Sequence, residues 1–211
     1  MKTDDLVAAL ASEATPVSFA AADNRFKATL GLAMVLVLAE ALVFLGARSD
    51  LAAAAALPMF WLKLAFPASL AIAGLLALRR LSYPGTRLGR VPLGVVAPVG
   101  LLLSAVVLGQ VVPGERTALI LGTTWRECPV SIALISVPAL GLALWAVRGL
   151  APTRPGLAGA AAGLFAGASA ALAYALHCPE IEAPFLAVWY ALGMLLPTAA
   201  GALLGLRLLR W

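Results

Sequence analysis

Two short stretches carry the residues best suited to chemistry, Glu127-Cys128-Pro129 and His177-Cys178-Pro179. They hold the only two cysteines of the chain, and the second contains its only histidine. Each Cys-Pro pair lies where an apolar run meets a polar loop. Thiolate and imidazole are ligands for zinc and other borderline or soft metals. Two thiols on one side of a membrane can also form a disulfide where the compartment is oxidising. Three readings stay open at this level: a structural disulfide between two loops, a redox- or metal-responsive thiol pair, and two unrelated buried cysteines. Cys128, His177 and Cys178 are the candidate metal ligands, with Glu127, Glu180 and Glu182 nearby. The spacing is not CxxC, which makes the metal signature weak.

The elements that must position these thiols are apolar. Hydrophobic residues form 63% of the 211 residues and charged residues 12%, about half the charged share of a soluble domain. Too little polar sequence remains to cover a water-soluble core of this size, so the composition predicts an all-α integral membrane protein. Six apolar runs, at 28–46, 57–78, 91–112, 129–147, 157–177 and 184–206, approach the ~20 residues that cross a hydrocarbon core. The expectation is a bundle of six transmembrane helices over 28–211, preceded by a short cytoplasmic tail, 1–27, with an amphipathic helix. The first apolar run starts only after a polar segment with four acidic residues, so no cleavable signal peptide is expected.

Charge sets the expected orientation. With the N-terminus inside, the cytoplasmic segments hold eleven Lys and Arg residues and the outer loops three, Arg48, Arg116 and Arg126. Both termini are therefore expected in the cytoplasm and both cysteines outside. Trp61, Trp125 and Trp189 fall at outer interfaces, Trp145 and Trp211 at inner ones. The net charge of +5 reflects these flanking residues, and no basic patch interleaved with aromatics predicts nucleic-acid binding.

Within the spans, Gly159, Gly163 and Gly167 recur every fourth residue and predict that the fifth span is central to the bundle. Pro67, Pro98, Pro138 and Pro197 interrupt four others. Glu40 and Lys63 lie roughly 10 Å below the outer interface on neighbouring helices. An unpaired charge there costs several kcal/mol, so they are expected to pair. In the tail, Thr3 can cap a helix with Asp4 and Asp5 in its first turn, and Leu6, Val7 and Leu10 share a face that Pro16 closes off.

The opening Met1-Lys2-Thr3-Asp4-Asp5-Leu6-Val7-Ala8-Ala9-Leu10-Ala11, followed by Thr15-Pro16-Val17, resembles that of the NrsF family. So do the six spans, the outer cysteines and the segment Trp189-Tyr190-Ala191-Leu192-Gly193-Met194-Leu195-Leu196-Pro197. The resemblance covers essentially the whole chain. It implies a bacterial inner-membrane anti-sigma factor whose tail holds an extracytoplasmic-function sigma factor. It further implies release on metal or oxidative stress outside. Carried onto this chain, the sigma-binding candidates are Asp4, Asp5, Leu6, Leu10, Pro16 and Val17, and Val7 joins them from the helix face. Cys128 and Cys178 are the sensor candidates. No cofactor is required on this reading, although a heavy-metal ion at the cysteines fits it. Membrane lipid is the other expected partner.

Two other functions fit the composition. A small inner-membrane metal transporter would need polar residues along a path, and only Glu40, Lys63 and Gln110 qualify. A thiol-disulfide membrane enzyme would need a second redox pair. No Ser/His/Asp pattern or phosphate-binding Gly loop is present, so an enzyme is not expected.

Overall fold

A computed structural model describes residues 3–13, 19–83, 85–108 and 116–210. Pro16, Val17, Gln110 and Trp211 fall outside these residues, so the tail and interface roles expected of them do too. Every regular element described is helical: α1 Thr3–Glu13, α2 Phe19–Glu40, α3 Leu51–Ala55, α4 Pro58–Leu81, α5 Leu93–Leu108, α6 Arg116–Leu121, α7 Glu127–Arg148, α8 Pro155–Tyr174, α9 Ala183–Phe185 and α10 Ala191–Leu208. Two π-helical turns, Ala41–Leu45 and Leu186–Tyr190, continue α2 and join α9 to α10.

Five helical stretches are long and apolar enough to cross a membrane: Asp23–Leu45, Pro58–Leu81, Glu127–Arg148, Pro155–Tyr174 and Ala183–Leu208. The chain is thus a multi-pass membrane protein. The six-span expectation is met only in part. Among the described residues, the run at 91–112 forms a shorter apolar helix, Leu93–Leu108. The first span also begins earlier than expected, because α2 runs unbroken through Asp23, Arg25 and Lys27. Asp23 pairs with Lys27 one turn on, at 2.6 Å, and with Arg79 of α4 at 3.2 Å. These contacts favour helix where composition alone reads as polar tail.

The fifth span is central, as its glycines predict. Over its most apolar 18 residues, Pro155–Tyr174 is 72% buried, against 28–50% for the other four. α10, α4 and α7 pack around α8, α2 lies mainly on α7, and α5 rests against α4. Large apolar side chains such as Val43, Phe44, Val107 and Leu134 point outward, as they do in lipid.

Glycine makes the α8–α10 approach possible. A Cβ on Gly159 would sit 2.1 Å from the Gly201 carbonyl oxygen, and one on Gly163 would sit 2.1 Å from that of Pro197. From the other side, a Cβ on Gly205 would meet the Pro155 carbonyl oxygen at 2.4 Å. The two backbones touch directly, so even one methyl must push them apart. Gly74 does the same for α4, where a Cβ would stand 2.7 Å from the Phe165 backbone nitrogen.

The contact predicts a position-specific cost. Gly163→Ala should destabilise the purified chain by about 1–3 kcal/mol in denaturant titrations in detergent. Gly141→Ala, whose new methyl meets nothing within 4 Å, should be neutral or slightly stabilising. Equal losses at both positions would show that the seam is not backbone-tight.

Candidate functional site

Both cysteines lie at one end of the bundle, where three loops converge. Cys128 sits in the first turn of α7, its N–H donating to the Thr124 carbonyl at 3.0 Å. Pro129 follows within that turn, where a missing N–H costs nothing. Cys178 lies just beyond α8, its N–H donating to the Tyr174 carbonyl at 3.0 Å. Pro179 then disfavours helical backbone at Cys178, so the chain leaves the helix there. Thr124 links the two, since its hydroxyl stands 4.0 Å from the Cys178 sulfur. Both thiols are fully buried, and they are free rather than bonded as a disulfide. The disulfide reading is therefore not the state described.

Lys63 reaches this cluster from α4. Its ammonium is fully buried, donates to the Cys178 carbonyl at 2.6 Å and lies 5.7 Å from the centre of the Tyr190 ring. The expected Glu40–Lys63 ion pair is not formed. Lys63 turns inward to a carbonyl and an aromatic face, while Glu40 stays half-buried at the α2–π junction without a basic partner among the described residues. A short connecting loop does not make two helices pack together: α2 lies mainly on α7, so Glu40 and Lys63 face different surroundings.

Arg48 approaches the same carbonyl from the loop after α2, at 3.5 Å, while its guanidinium clasps Asp50 through two contacts of 2.6 Å. Hydrogen bonding from Arg48 holds the Asp50 carboxyl below its ordinary value. The pair's contribution is therefore present above the unfolded carboxylate pKa and fades as pH falls through the lowered one. His177 is turned elsewhere, its Nδ1 lying 3.2 Å from the Gly46 carbonyl oxygen. The first π turn brings that carbonyl into place. The Gly46 N–H bonds back five residues to the Ala41 carbonyl at 3.2 Å, and Gly46 leaves the helix at φ +76°.

Glu180 ties the third loop down. One carboxylate oxygen accepts from the Thr123 N–H and hydroxyl, each at 2.7 Å. Trp189 donates to the Ile120 carbonyl at 2.7 Å and packs on Trp125 with ring centres 5.2 Å apart. Cys128, His177 and Cys178 share this end, but among the described residues no three His, Cys, Asp or Glu side chains gather as a metal-ligand set. The sequence carries no signal for Thr124 or Tyr174 and marks Arg48 only as an outer-loop charge. Tyr190 carried one signal, its place in the Trp189-Tyr190 pair.

α1 leaves its candidate docking residues uncovered. Leu6, Val7 and Leu10 are 43%, 59% and 62% exposed, with Asp4 and Asp5 in the first turn. At the end of the bundle remote from the cysteines, Asp23 of α2 meets Arg79 at the tip of α4, and Arg148 ends α7.

Tyr190 is the sharpest anomaly of the cluster. It is fully buried, and its hydroxyl makes no hydrogen bond among the described residues. Its polar neighbours are the thiols of Cys178 and Cys128, which are weak partners. Removing a buried, unsatisfied hydroxyl relieves a desolvation cost of about 1–3 kcal/mol. Tyr190→Phe is thus expected to leave stability unchanged or raise it by about 1 kcal/mol. A loss in the same denaturant titration would mean that the hydroxyl has a partner worth keeping.

Comparison with known proteins assigns the architecture to a lineage. No solved structure matches the chain. A probable anti-sigma-F factor NrsF from Azospira oryzae is 46% identical over 213 residues, covering all of both chains. The anti-sigma-F factor NrsF of Caulobacter vibrioides is 43% identical over 219 residues, again covering all of both. The family model described as negative regulator of sigma F matches residues 10–211, which includes both cysteines and all five long apolar helices described. The chain therefore belongs to the NrsF family of negative regulators of sigma F.

Proposed function

We propose that this protein is a membrane-bound anti-sigma factor that holds an extracytoplasmic-function sigma factor through residues 1–27. A stress signal at the cysteine end releases that partner. The role is regulatory and not enzymatic, in line with the anti-sigma-F factors that it resembles over their full length. In this reading the bundle lies in a bacterial inner membrane, with six spans, both termini in the cytoplasm and the cysteines facing the periplasm. The run 91–112, with α5 inside it, is the sixth crossing. An even number of crossings returns the chain to the side on which it started.

The exposed face of α1 carries the proposal. An eleven-residue helix is marginal alone in water, and its three large apolar side chains are uncovered. Such a face fits an apolar groove on a partner, with Leu6, Val7 and Leu10 as anchors. Asp4 and Asp5 add charge that favours a basic partner surface and speeds association. Pro16 and Val17 complete the candidate contact.

At the far end, Cys128 and Cys178 are the proposed sensor. A heavy-metal ion or an oxidant has to open the cluster to reach them, because both thiols are fully buried. His177 is the third candidate ligand, and it would have to leave the Gly46 carbonyl to join them. Opening would break the Lys63 and Arg48 contacts with the Cys178 carbonyl and so disturb α4 and α2 together. α2 follows the tail directly, which gives the disturbance a short route to the bound partner.

Co-purification from the source bacterium tests both halves. Leu6→Asp with Leu10→Asp should cut the retained sigma factor at least about tenfold, while the chain still reaches the membrane. Cys128→Ser with Cys178→Ser should keep the sigma factor bound under thiol-oxidising or heavy-metal stress. If the tail variants retain it fully, α1 is not the binding element. If the serine variant releases it normally, the cysteines are not the switch.

A further inference from the structure

At the end of the bundle opposite the cysteines, the loop after α4 and the loop before α8 enclose a cavity of about 320 Å³. Arg80, Arg87 and Arg154 line it, together with Tyr83, Thr86 and Thr153, and no carboxylate is among the lining residues. The ion pairs among the described residues are Lys27–Asp23, Arg79–Asp23 and Arg48–Asp50, and none uses these three arginines. Among the described residues, three arginines thus line one space without a counter-charge.

The cavity is shaped by a folded loop. Arg80 donates to the Leu88 carbonyl, and the Thr86 hydroxyl donates to the Arg80 carbonyl, so the loop closes on its own start. Gly89, at φ +56°, completes the closure, because a Cβ there would meet the Arg80 guanidinium at 2.9 Å. With the loop folded back, Arg87 lines the same space as Arg154. Arg80 is partly occupied by the carbonyl, while Arg87 and Arg154 keep their forks available.

We propose that this cavity binds the phosphate group of an anionic membrane lipid. Guanidinium forks match phosphate oxygens in pairs, and hydroxyls from Tyr83 and Thr153 can donate to the remaining ones. Depth selects the source of the phosphate. The cavity opens beside Leu81, the last residue of one spanning helix, and one residue before Pro155, the first of another. That is the level of lipid headgroups. Leu81 and Leu88, which also line it, offer an apolar wall where the glycerol and acyl chains would continue. The site goes beyond the regulatory reading above and does not depend on it.

The test compares two double variants of equal charge loss. The full chain is purified in a neutral detergent, and its thermal stability is followed while phosphatidylglycerol, phosphatidylcholine or inorganic phosphate is added. Phosphatidylglycerol should stabilise the wild-type chain and phosphatidylcholine should not. In Arg87→Gln with Arg154→Gln the apparent affinity should fall on the order of thirtyfold, at about 1 kcal/mol per arginine. Arg207→Gln with Arg210→Gln, which removes two arginines from α10 and the residues just beyond it, should keep most of the response. Equal losses in the two variants would reduce the effect to general surface charge and overturn the site. A phosphate response that needs Arg87 and Arg154, without a phosphatidylglycerol response, would make the ligand free phosphate and overturn the lipid assignment. If Arg87→Gln with Arg154→Gln fails to retain a sigma factor that the wild-type chain holds, while its lipid response stays, the cavity holds an acidic protein segment instead.

Discussion

In a hydrocarbon solvent helices gain nothing from burying leucine, because the lipid is as apolar as the partner helix. What draws them together is close van der Waals contact, and the closest contact in this bundle is between α8 and α10. There the backbone of Gly159 meets Gly201 and Gly205, and Gly163 meets Pro197. α4 reaches α8 by the same device at Gly74. α2 and α5 are arranged around that inner group, and the loops at either end take their positions from it. The cysteine cluster forms where it does because α8 ends at Tyr174 and α10 begins just past Tyr190, two rings 6.0 Å apart.

The cluster itself obeys a different rule. A fully buried ammonium held by one carbonyl and one aromatic face is costly in a medium of low dielectric. The molecule lessens that cost with a short hydrogen bond to the Cys178 carbonyl and with the face of the Tyr190 ring. It also leaves Tyr190 without a proper hydrogen-bond partner among the described residues. Fully satisfied polar networks rigidify a protein, whereas partly satisfied ones are places where alternative arrangements lie close in energy. The cysteines sit in a network of the second kind.

Much of this was legible in the sequence. Four-residue glycine spacing marked α8 as central because only small residues permit backbone contact, and that physics is local to one helix. The cysteine motifs were placed at one end because span lengths and their alternation fix the ends. The tail helix was visible in the spacing of Leu6, Val7 and Leu10. The partner of Lys63 was not, because α2 packs mainly on α7 rather than on α4, and neither depth nor sequence distance specifies that choice. The π turns escaped as well. A π turn holds one surplus residue without changing the apolar pattern around it, and in Ala41–Leu45 that pattern reads as ordinary helix.

The glycine seam has a thermal consequence. Hydrophobic contacts in water weaken on cooling because water reorganises around the surfaces that separate, and that reorganisation carries a large heat capacity. When α8 and α10 separate within a bilayer, lipid chains rather than water fill the gap. The seam therefore has little heat-capacity change of its own, and its strength varies only slowly with temperature. Across the range in which a bacterium warms and cools, the centre of this bundle keeps nearly the same grip, whatever happens to the wetter loops at its two ends.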